Sequence, residues 1–221
     1  MGESAKTSLE HLVYYPSTTK ASYPTIVALH GRGTDQHDLI PLIESLEMSD
    51  TLVVSPRAPM PFNLGGYGAG YAWYEIGEEG RPDPATFLPS YKLLVKFVGE
   101  IKEAYPTDTE RFTLLGFSQG TVMAYAVGLT ESSGVRAIAA LSGYVPYRSG
   151  LPLQLQDLNA LSVFISHGAW DELIPVELGR ESAELLKKAG ADVAYHEYPM
   201  GHEVGPQTLR DLSSWLTNIL H

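Results

Sequence analysis

The chain has 221 residues, 44% of them hydrophobic, which is enough for a continuous core, and we expect residues 1–221 to form one domain. Acidic residues outnumber basic ones by 26 to 15, which gives a formal net charge of −11, and no run of basic residues concentrates positive potential. This balance argues against nucleic acid and anionic membrane surfaces as partners. Cysteine is absent, which excludes disulfides, a thiolate nucleophile and a Cys-ligated zinc site.

The amino-terminal segment lacks the basic stretch and apolar core of a secretory signal. No apolar run approaches the ~20 residues that span a bilayer. We therefore expect a soluble, cytoplasmic protein with no stable membrane insertion. The sequence leaves open whether the protein forms a homodimer.

Short runs rich in Val, Ile, Leu and Phe alternate along the chain with segments of helical periodicity. In chain order, the sequence predicts strands at residues 9–15, 25–29, 51–55, 112–117, 137–141, 163–166 and 193–198. Between and after them it predicts helices at residues 38–46, 86–105, 119–129, 176–189 and 207–220.

Most of these strands show little period-two alternation, as expected where helices cover both faces of a parallel sheet. Residues 9–15 and 193–198 alternate more, which is typical of edge strands, and the first of them is a candidate for antiparallel pairing. The pattern predicts an α/β fold with a mainly parallel central sheet and helices on both faces.

Two long segments, residues 57–84 and 143–159, contain no predicted element and are rich in Gly, Pro and aromatic residues. Such loops are commonly functional. The glycine-rich run at 65–70 matches neither a dinucleotide fingerprint nor a P-loop, and we interpret it as a mobile wall beside a substrate pocket. The pocket would be lined by Tyr71, Trp73 and Tyr74, although simple core packing of these rings is an equal alternative.

A candidate nucleophile, Ser118, lies in a G-x-S-x-G pattern at residues 116–120, between a predicted strand and a predicted helix. A serine on such a sharp turn adopts strained backbone geometry, and the flanking glycines allow the turn to close. The turn also frees the amide of Gln119 to donate to an oxyanion. The alternative is a serine that merely caps the helix.

His202 is the candidate general base, because it follows the last predicted strand in the run Met-Gly-His-Glu. His30 and His167 also follow strands, and we expect them to hold loops. Asp171 is the candidate acid, since it follows the strand before His202 and completes the chain order Ser, Asp, His. Glu172 is the competing acid.

The run Leu-His-Gly-Arg-Gly at residues 29–33 follows a buried strand, so a backbone amide there can approach the nucleophile. We expect the amide of Arg32 to be the second oxyanion donor. Its guanidinium either holds a substrate carboxylate or pairs with a surface acid, and the ion pair is the favoured alternative.

Together these runs resemble the phospholipase/carboxylesterase family of serine hydrolases, which includes acyl-protein thioesterases. The resemblance extends through nearly the whole chain, in the runs LHGRG (29–33), PRAP (56–59), WYE (73–75), GFSQG (116–120), LSG (141–143) and MGHE (200–203), and in His167, Gly168, Asp171 and Pro175. It implies an α/β-hydrolase fold, no cofactor or metal, Ser118 as nucleophile, His202 and Asp171 as its partners, and the amides of Arg32 and Gln119 as oxyanion donors.

The chain departs from the usual family pattern at Thr121, where a further glycine is common, at Glu75, where aspartate is common, and at Thr34. The resemblance implies a small-molecule acyl ester as substrate. We predict a carboxylesterase that acts on short to medium acyl esters through an acyl-enzyme on Ser118. The alternatives are a thioesterase or lysophospholipase for long acyl chains, and a ligand-binding protein that has lost catalysis.

Overall fold

The structure is a computed structural model and describes residues 5–63, 65, 69–130 and 134–220. Within these residues the main sheet has seven strands: β1 (His11–Tyr14), β2 (Tyr23–Leu29), β3 (Leu52–Pro56), β6 (Thr107–Phe117), β7 (Ala137–Leu141), β8 (Ser162–Gly168) and β9 (Asp192–Tyr198). Their order across the sheet is β1-β3-β2-β6-β7-β8-β9. All neighbours pair in parallel except β1, which pairs antiparallel with β3.

Two layers of helices cover the sheet. The helices are α1 (Ile40–Ser45), α2 (Pro84–Ala104), α3 (Gln119–Gly128), α4 (Val176–Lys188) and α5 (Pro206–Leu220). Buried residues of α2, α3 and α4 form one apolar cluster with the sheet, and those of α1 and α5 form another. In β2, Val27 belongs to the first cluster and Ile26 to the second, so both faces of this strand are buried.

The structure confirms the predicted α/β-hydrolase fold, including the antiparallel strand at one edge and β9 at the other. Two features were not predicted. The first long loop contains a hairpin of β4 (Met60–Asn63) and β5 (Ala69–Ala72), and β6 begins at Thr107 rather than at residue 112. The hairpin strands have four residues each, and the start of β6 is polar and partly exposed, so neither carries an apolar signal.

The parallel strands point their carboxyl ends toward one edge of the sheet. Ser118, Asp171 and His202 follow β6, β8 and β9, so all three lie in loops at that edge. In open α/β sheets this edge is the usual place for a ligand crevice. The fold thus brings together three residues that are far apart in sequence.

Candidate active site

Ser118 occupies a strained turn between β6 and α3. Its φ of 54° and ψ of −119° lie in a region that residues with a side chain rarely adopt, at a typical cost of about 1–3 kcal/mol. Its amide donates to the carbonyl of Leu141, and its own carbonyl accepts from the amides of Thr121 and Val122 in the first turn of α3. These bonds hold the turn in the conformation that a nucleophile elbow requires.

Close packing explains the two glycines beside Ser118. A Cβ on Gly116 would lie 2.4 Å from backbone atoms of Gly120 and Thr121. A Cβ on Gly120 would lie 1.9 Å from the carbonyl oxygen of Leu29, at the end of β2. The absence of side chains therefore lets α3 begin directly against both β6 and the loop after β2.

His202 and Asp171 form the hydrogen bond expected of a base and its acid. The Nδ1 atom of His202 lies 2.7 Å from Oδ2 of Asp171. Because a carboxylate only accepts, Nδ1 carries the proton and Nε2 keeps a lone pair for a serine hydroxyl. Asp171 is 7% exposed and contacts His202, whereas its neighbour Glu172 is exposed to solvent.

The other oxygen of Asp171 is held by its own loop. Oδ1 accepts hydrogen bonds from the amides of Leu173, at 3.0 Å, and Ile174, at 2.8 Å. Buried His167 lies on the far side, with its Nε2 atom 3.4 Å from Oδ2 of Asp171 and 2.8 Å from the carbonyl of Ile174. The carboxylate is thus fixed by contacts on both oxygens.

The loop of Ser118 contacts the loop of His202 and the glycine loop after β2. The ring of Phe117 lies 5.0 Å, between centroids, from the imidazole of His202. A Cβ on Gly31 would lie 3.6 Å from Cβ of Ser118. Within the part of the chain that the structure describes, the amides of Arg32 and Gln119 donate to no protein acceptor. Both remain available for an oxyanion.

Gln119 has a second role that sequence reasoning missed. Its side-chain oxygen accepts from the amide of Trp73, at 3.0 Å, and its side-chain nitrogen donates to the carbonyl of Tyr74, at 2.9 Å. The indole of Trp73 in turn donates to the carbonyl of His30. This network connects the start of α3 to two loops. A contact between residues 46 positions apart cannot be recognised from a local sequence pattern.

The structure corrects the predicted pocket lining. Trp73 has no exposed surface and Tyr74 is 3% exposed, so both rings pack in the core and offer no surface to a ligand. Tyr71 is half-buried beneath the guanidinium of Arg57, and a lining role remains a prediction for this residue. Of the predicted mobile wall, residues 66–68 lie outside the described residues.

The guanidinium of Arg32 forms the ion pair with a surface acid that the sequence analysis favoured. It lies 3.7 Å from a carboxylate oxygen of Glu75 and stacks over the ring of Phe62 at 4.1 Å. It is therefore engaged at the surface. Glu75, one of the departures from the family pattern, keeps the carboxylate that this pair requires.

His30 holds the glycine loop, as expected. Its Nε2 accepts from the amide of Ala58, at 3.0 Å, so Nδ1 carries the proton and donates to the carbonyl of Gly31, at 2.7 Å. Burial lowers the pKa of His30 and also that of His167, so the neutral form of each ring is favoured. Both ring nitrogens of His30 and Nε2 of His167 are thus engaged by the backbone.

A separate apolar cleft of about 390 Å³ lies at the other end of the sheet. It is lined by Ile40, Met48 and Thr51, among others, and Thr51 immediately precedes β3. The cleft is therefore at the amino end of the parallel strands, opposite Ser118. It is not placed to hold an acyl chain attached to that serine.

Neither a metal centre nor a membrane-spanning helix is found among the described residues. Among residues 5–63, 65, 69–130 and 134–220, no group of three or more His, Asp or Glu side chains is arranged to hold a metal ion. None of the helices in these ranges combines the length and apolarity needed to cross a membrane.

Comparison with known proteins agrees with this geometry. A model of the phospholipase/carboxylesterase family matches residues 15–220. The chain is 29% identical to acyl-protein thioesterase 1 of Mycosarcoma maydis over 234 residues, covering 96% of this chain and 98% of that protein. It is 28% identical to carboxylesterase SOBER1 of Arabidopsis thaliana over 203 residues, covering 86% and 88%.

Among solved structures, the Bacillus cereus carboxylesterase superposes with a TM-score of 0.81 at 25% identity, covering 96% of this chain and 94% of that one. The family match covers nearly the whole chain, including all three candidate catalytic residues. The chain therefore belongs to the phospholipase/carboxylesterase family and is an esterase or thioesterase hydrolase of the α/β-hydrolase fold.

Proposed function

We propose that the protein is a serine carboxylesterase that hydrolyses short to medium acyl esters through an acyl-enzyme on Ser118. The observation that carries this proposal is the 2.7 Å hydrogen bond between His202 and Asp171, in loops at the same edge of the sheet as the strained turn of Ser118. An orienting carboxylate fixes the imidazole tautomer in which Nε2 can accept the serine proton.

In the first half-reaction, Oγ of Ser118 attacks the ester carbonyl as Nε2 of His202 takes its proton. The amides of Arg32 and Gln119 donate to the carbonyl oxygen as negative charge develops on it. One such donor typically contributes about 3 kcal/mol of transition-state stabilisation. The C–O bond then breaks, and the alcohol leaves with the proton from His202.

In the second half-reaction, water attacks the acyl-enzyme. His202 takes a proton from this water and returns it to Oγ of Ser118 as the carboxylic acid leaves. The buried carboxylate of Asp171 stabilises the imidazolium in both halves. The reaction balances with ester and water alone, so this mechanism requires no cofactor.

The test is a pair of serine variants assayed with a p-nitrophenyl ester of a short acid and with a fluorophosphonate probe. Ser118→Ala should lower the rate by at least about a thousandfold and abolish labelling. Ser142→Ala is the matched control, because Ser142 also has a positive φ and follows β7 at the same edge. Labelling that persists in Ser118→Ala but disappears in Ser142→Ala would refute the assignment.

A second candidate is a thioesterase, because several relatives are named acyl-protein thioesterase 1. The same relay serves either bond, so the difference lies in acyl length and leaving group. Turnover of esters and matched thioesters from acetyl to palmitoyl, with a lysophospholipid, would separate the two. A carboxylesterase should favour the shorter oxygen esters. An optimum at long acyl thioesters would support the second candidate instead.

A further inference from the structure

A second cleft lies beside α4. It has a volume of about 300 Å³ and lies between the loop after β7 and the first turns of α4. Tyr144 and Arg148 contribute one wall, Leu178 and Glu181 of α4 contribute another, and Arg81 also lines the cleft. The lining therefore combines aromatic and apolar side chains with two arginines and one carboxylate.

This cleft is close to the candidate nucleophile. A Cβ on Gly143 would lie 3.1 Å from the carbonyl oxygen of Ser118, and Tyr144 is the next residue. Standard backbone geometry therefore places the Cα atom of Tyr144 within about 9 Å of that oxygen. The backbone of one residue that lines the cleft is thus within about 9 Å of the backbone of Ser118.

Arg148 differs from most of the arginines in its lack of a carboxylate partner. The guanidinium groups of Arg57, Arg111 and Arg180 pair with carboxylates. For Arg148, the described part of the chain offers no carboxylate within 4.0 Å, and its guanidinium instead stacks on the ring of Tyr147 at 5.1 Å. In a chain with a net charge of −11, an arginine without a carboxylate partner beside a cleft indicates an anionic ligand.

We propose that the cleft binds an anionic group of the ester, a carboxylate or a phosphate, through Arg148. A guanidinium offers a planar set of donors that matches either anion, and stacking on Tyr147 restricts its orientation before binding. The inference rests on the proposed function, because it concerns the substrate of the same serine. It specifies a substrate that combines a cleavable ester with a negative charge several bonds away.

A carboxylate in the same cleft, that of Glu181, allows a second test of the anion site. Glu181 is exposed, lines the same cleft and repels an anion, so it should weaken binding that Arg148 strengthens. Substitutions at the two positions are therefore expected to change the preference for charged substrates in opposite directions. A loss of packing in either variant would not produce that pattern.

The substrates should differ only in charge. One pair carries the charge on the alcohol part of the ester: the phenolic acetate of p-hydroxyphenylacetic acid is compared with the phenolic acetate of p-hydroxyphenylacetamide. For the acyl side, monoethyl adipate is compared with its primary amide. The acetate ester of tyrosol phosphate replaces the carboxylate by a phosphate and shows which anion is preferred. For each protein, kcat/KM for the charged ester is divided by kcat/KM for its neutral amide. Dividing the ratio of a variant by the wild-type ratio cancels the difference in intrinsic reactivity between the two esters.

The variants are Arg148→Gln, Glu181→Gln and the control Arg210→Gln, which removes an exposed arginine from α5 on the other face of the sheet. Wild-type protein should prefer a charged ester over its amide. Arg148→Gln should lower that preference about fivefold, Glu181→Gln should raise it, and Arg210→Gln should leave it unchanged. The preference should weaken in about 0.5 M salt, because Arg148 is exposed.

Two outcomes would overturn the inference. One is a wild-type protein that shows no preference for the charged member of either pair. The other is an Arg148→Gln protein that retains the preference or loses activity on charged and neutral esters equally. Both leave the proposed function intact as long as the neutral esters are cleaved and Ser118→Ala abolishes that cleavage, so the two failures can be distinguished.

Discussion

The side-chain hydroxyl of Thr121 accepts a hydrogen bond from the backbone amide of Leu141, with 3.1 Å between nitrogen and oxygen. The same hydroxyl lies 2.7 Å from the carbonyl oxygen of Gly116 and 2.8 Å from that of Leu141. One fully buried group thus joins the first turn of α3 to the two strands beside Ser118. It occupies a position where the family commonly has a further glycine, so this chain supports its nucleophile turn with a side chain.

Replacing Thr121 by valine should destabilise the protein. The substitution keeps the shape but removes the hydroxyl that accepts from Leu141, and a buried donor that loses its partner costs about 1–3 kcal/mol. Urea unfolding followed by circular dichroism would give the free energy of unfolding. Thr121→Ser, which keeps the hydroxyl, should lower the free energy of unfolding by less than the valine substitution does. A valine variant as stable as wild type would show that the hydroxyl does not support the turn.

Asp171→Asn should lower kcat by about a thousandfold to ten-thousandfold. An asparagine can still accept from the amides of Leu173 and Ile174, so the loop should keep its shape. Its NH2 group, however, would face Nδ1 of His202 and favour the tautomer in which Nε2 no longer accepts the serine proton. The measurement is steady-state hydrolysis of a short ester.

The control for this substitution is Glu172→Gln, at the neighbouring exposed acid. It should retain nearly wild-type kcat, since its carboxylate is not the partner of His202. A large loss in Glu172→Gln together with a small loss in Asp171→Asn would reverse the assignment of the acid.

Much of the fold could be predicted because its signals are local. Apolar runs of strand length that alternate with amphipathic segments specify a parallel sheet covered by helices, and the rule for crossover connections leaves few arrangements. The order Ser, Asp, His in loops at one edge of the sheet followed from this topology. The local strain at Ser118 was also predictable, because glycines on both sides of a serine at a turn indicate close packing.

The remaining features depend on contacts between distant residues. The side-chain amide of Gln119 forms hydrogen bonds with the backbone of Trp73 and Tyr74. Such contacts produce no periodic pattern in the sequence. The pocket role assigned to Trp73 was wrong because an aromatic residue in a glycine-rich loop has the same sequence signature whether its ring faces a ligand or the core.

Gly120→Ala should disrupt the site. Its new Cβ would lie 1.9 Å from the carbonyl oxygen of Leu29, so α3 or the glycine loop would have to move. Because the amides of Gln119 and Arg32 lie on these two elements, the oxyanion donors should separate and kcat should fall by at least about a hundredfold. The kinetics of a short ester provide the measurement.

Gly99→Ala is the matched control, because nothing lies within 4 Å of the position that its new methyl group would take and the residue is exposed within α2. Alanine is favoured over glycine in a helix interior by about 1 kcal/mol, so this variant should gain stability and keep its activity. A Gly120→Ala protein with the kinetics of Gly99→Ala would contradict the close packing at the turn.

The free energy of unfolding should decrease as the pH falls from about 6.5 toward 5, before most carboxylates titrate. Burial lowers the pKa values of His11, His30 and His167 in the folded protein, whereas the unfolded chain titrates near pH 6.5. Below that pH the unfolded chain therefore binds protons that the folded chain does not, which favours unfolding. The stability provided by these neutral rings is present above pH 6.5 and is lost as the pH falls toward their lower folded values.

The substitution His167→Gln should reduce this pH dependence. Nε2 of His167 donates to the carbonyl of Ile174, and buried Nδ1 has no partner among the described residues, so a second proton there would find no acceptor. A glutamine can donate to the same carbonyl without titrating. Urea unfolding at several pH values should show a slope smaller by up to one proton, about 1.4 kcal/mol per pH unit. Gly99→Ala should shift the free energy equally at every pH, and an unchanged slope in His167→Gln would show that this imidazole does not resist protonation.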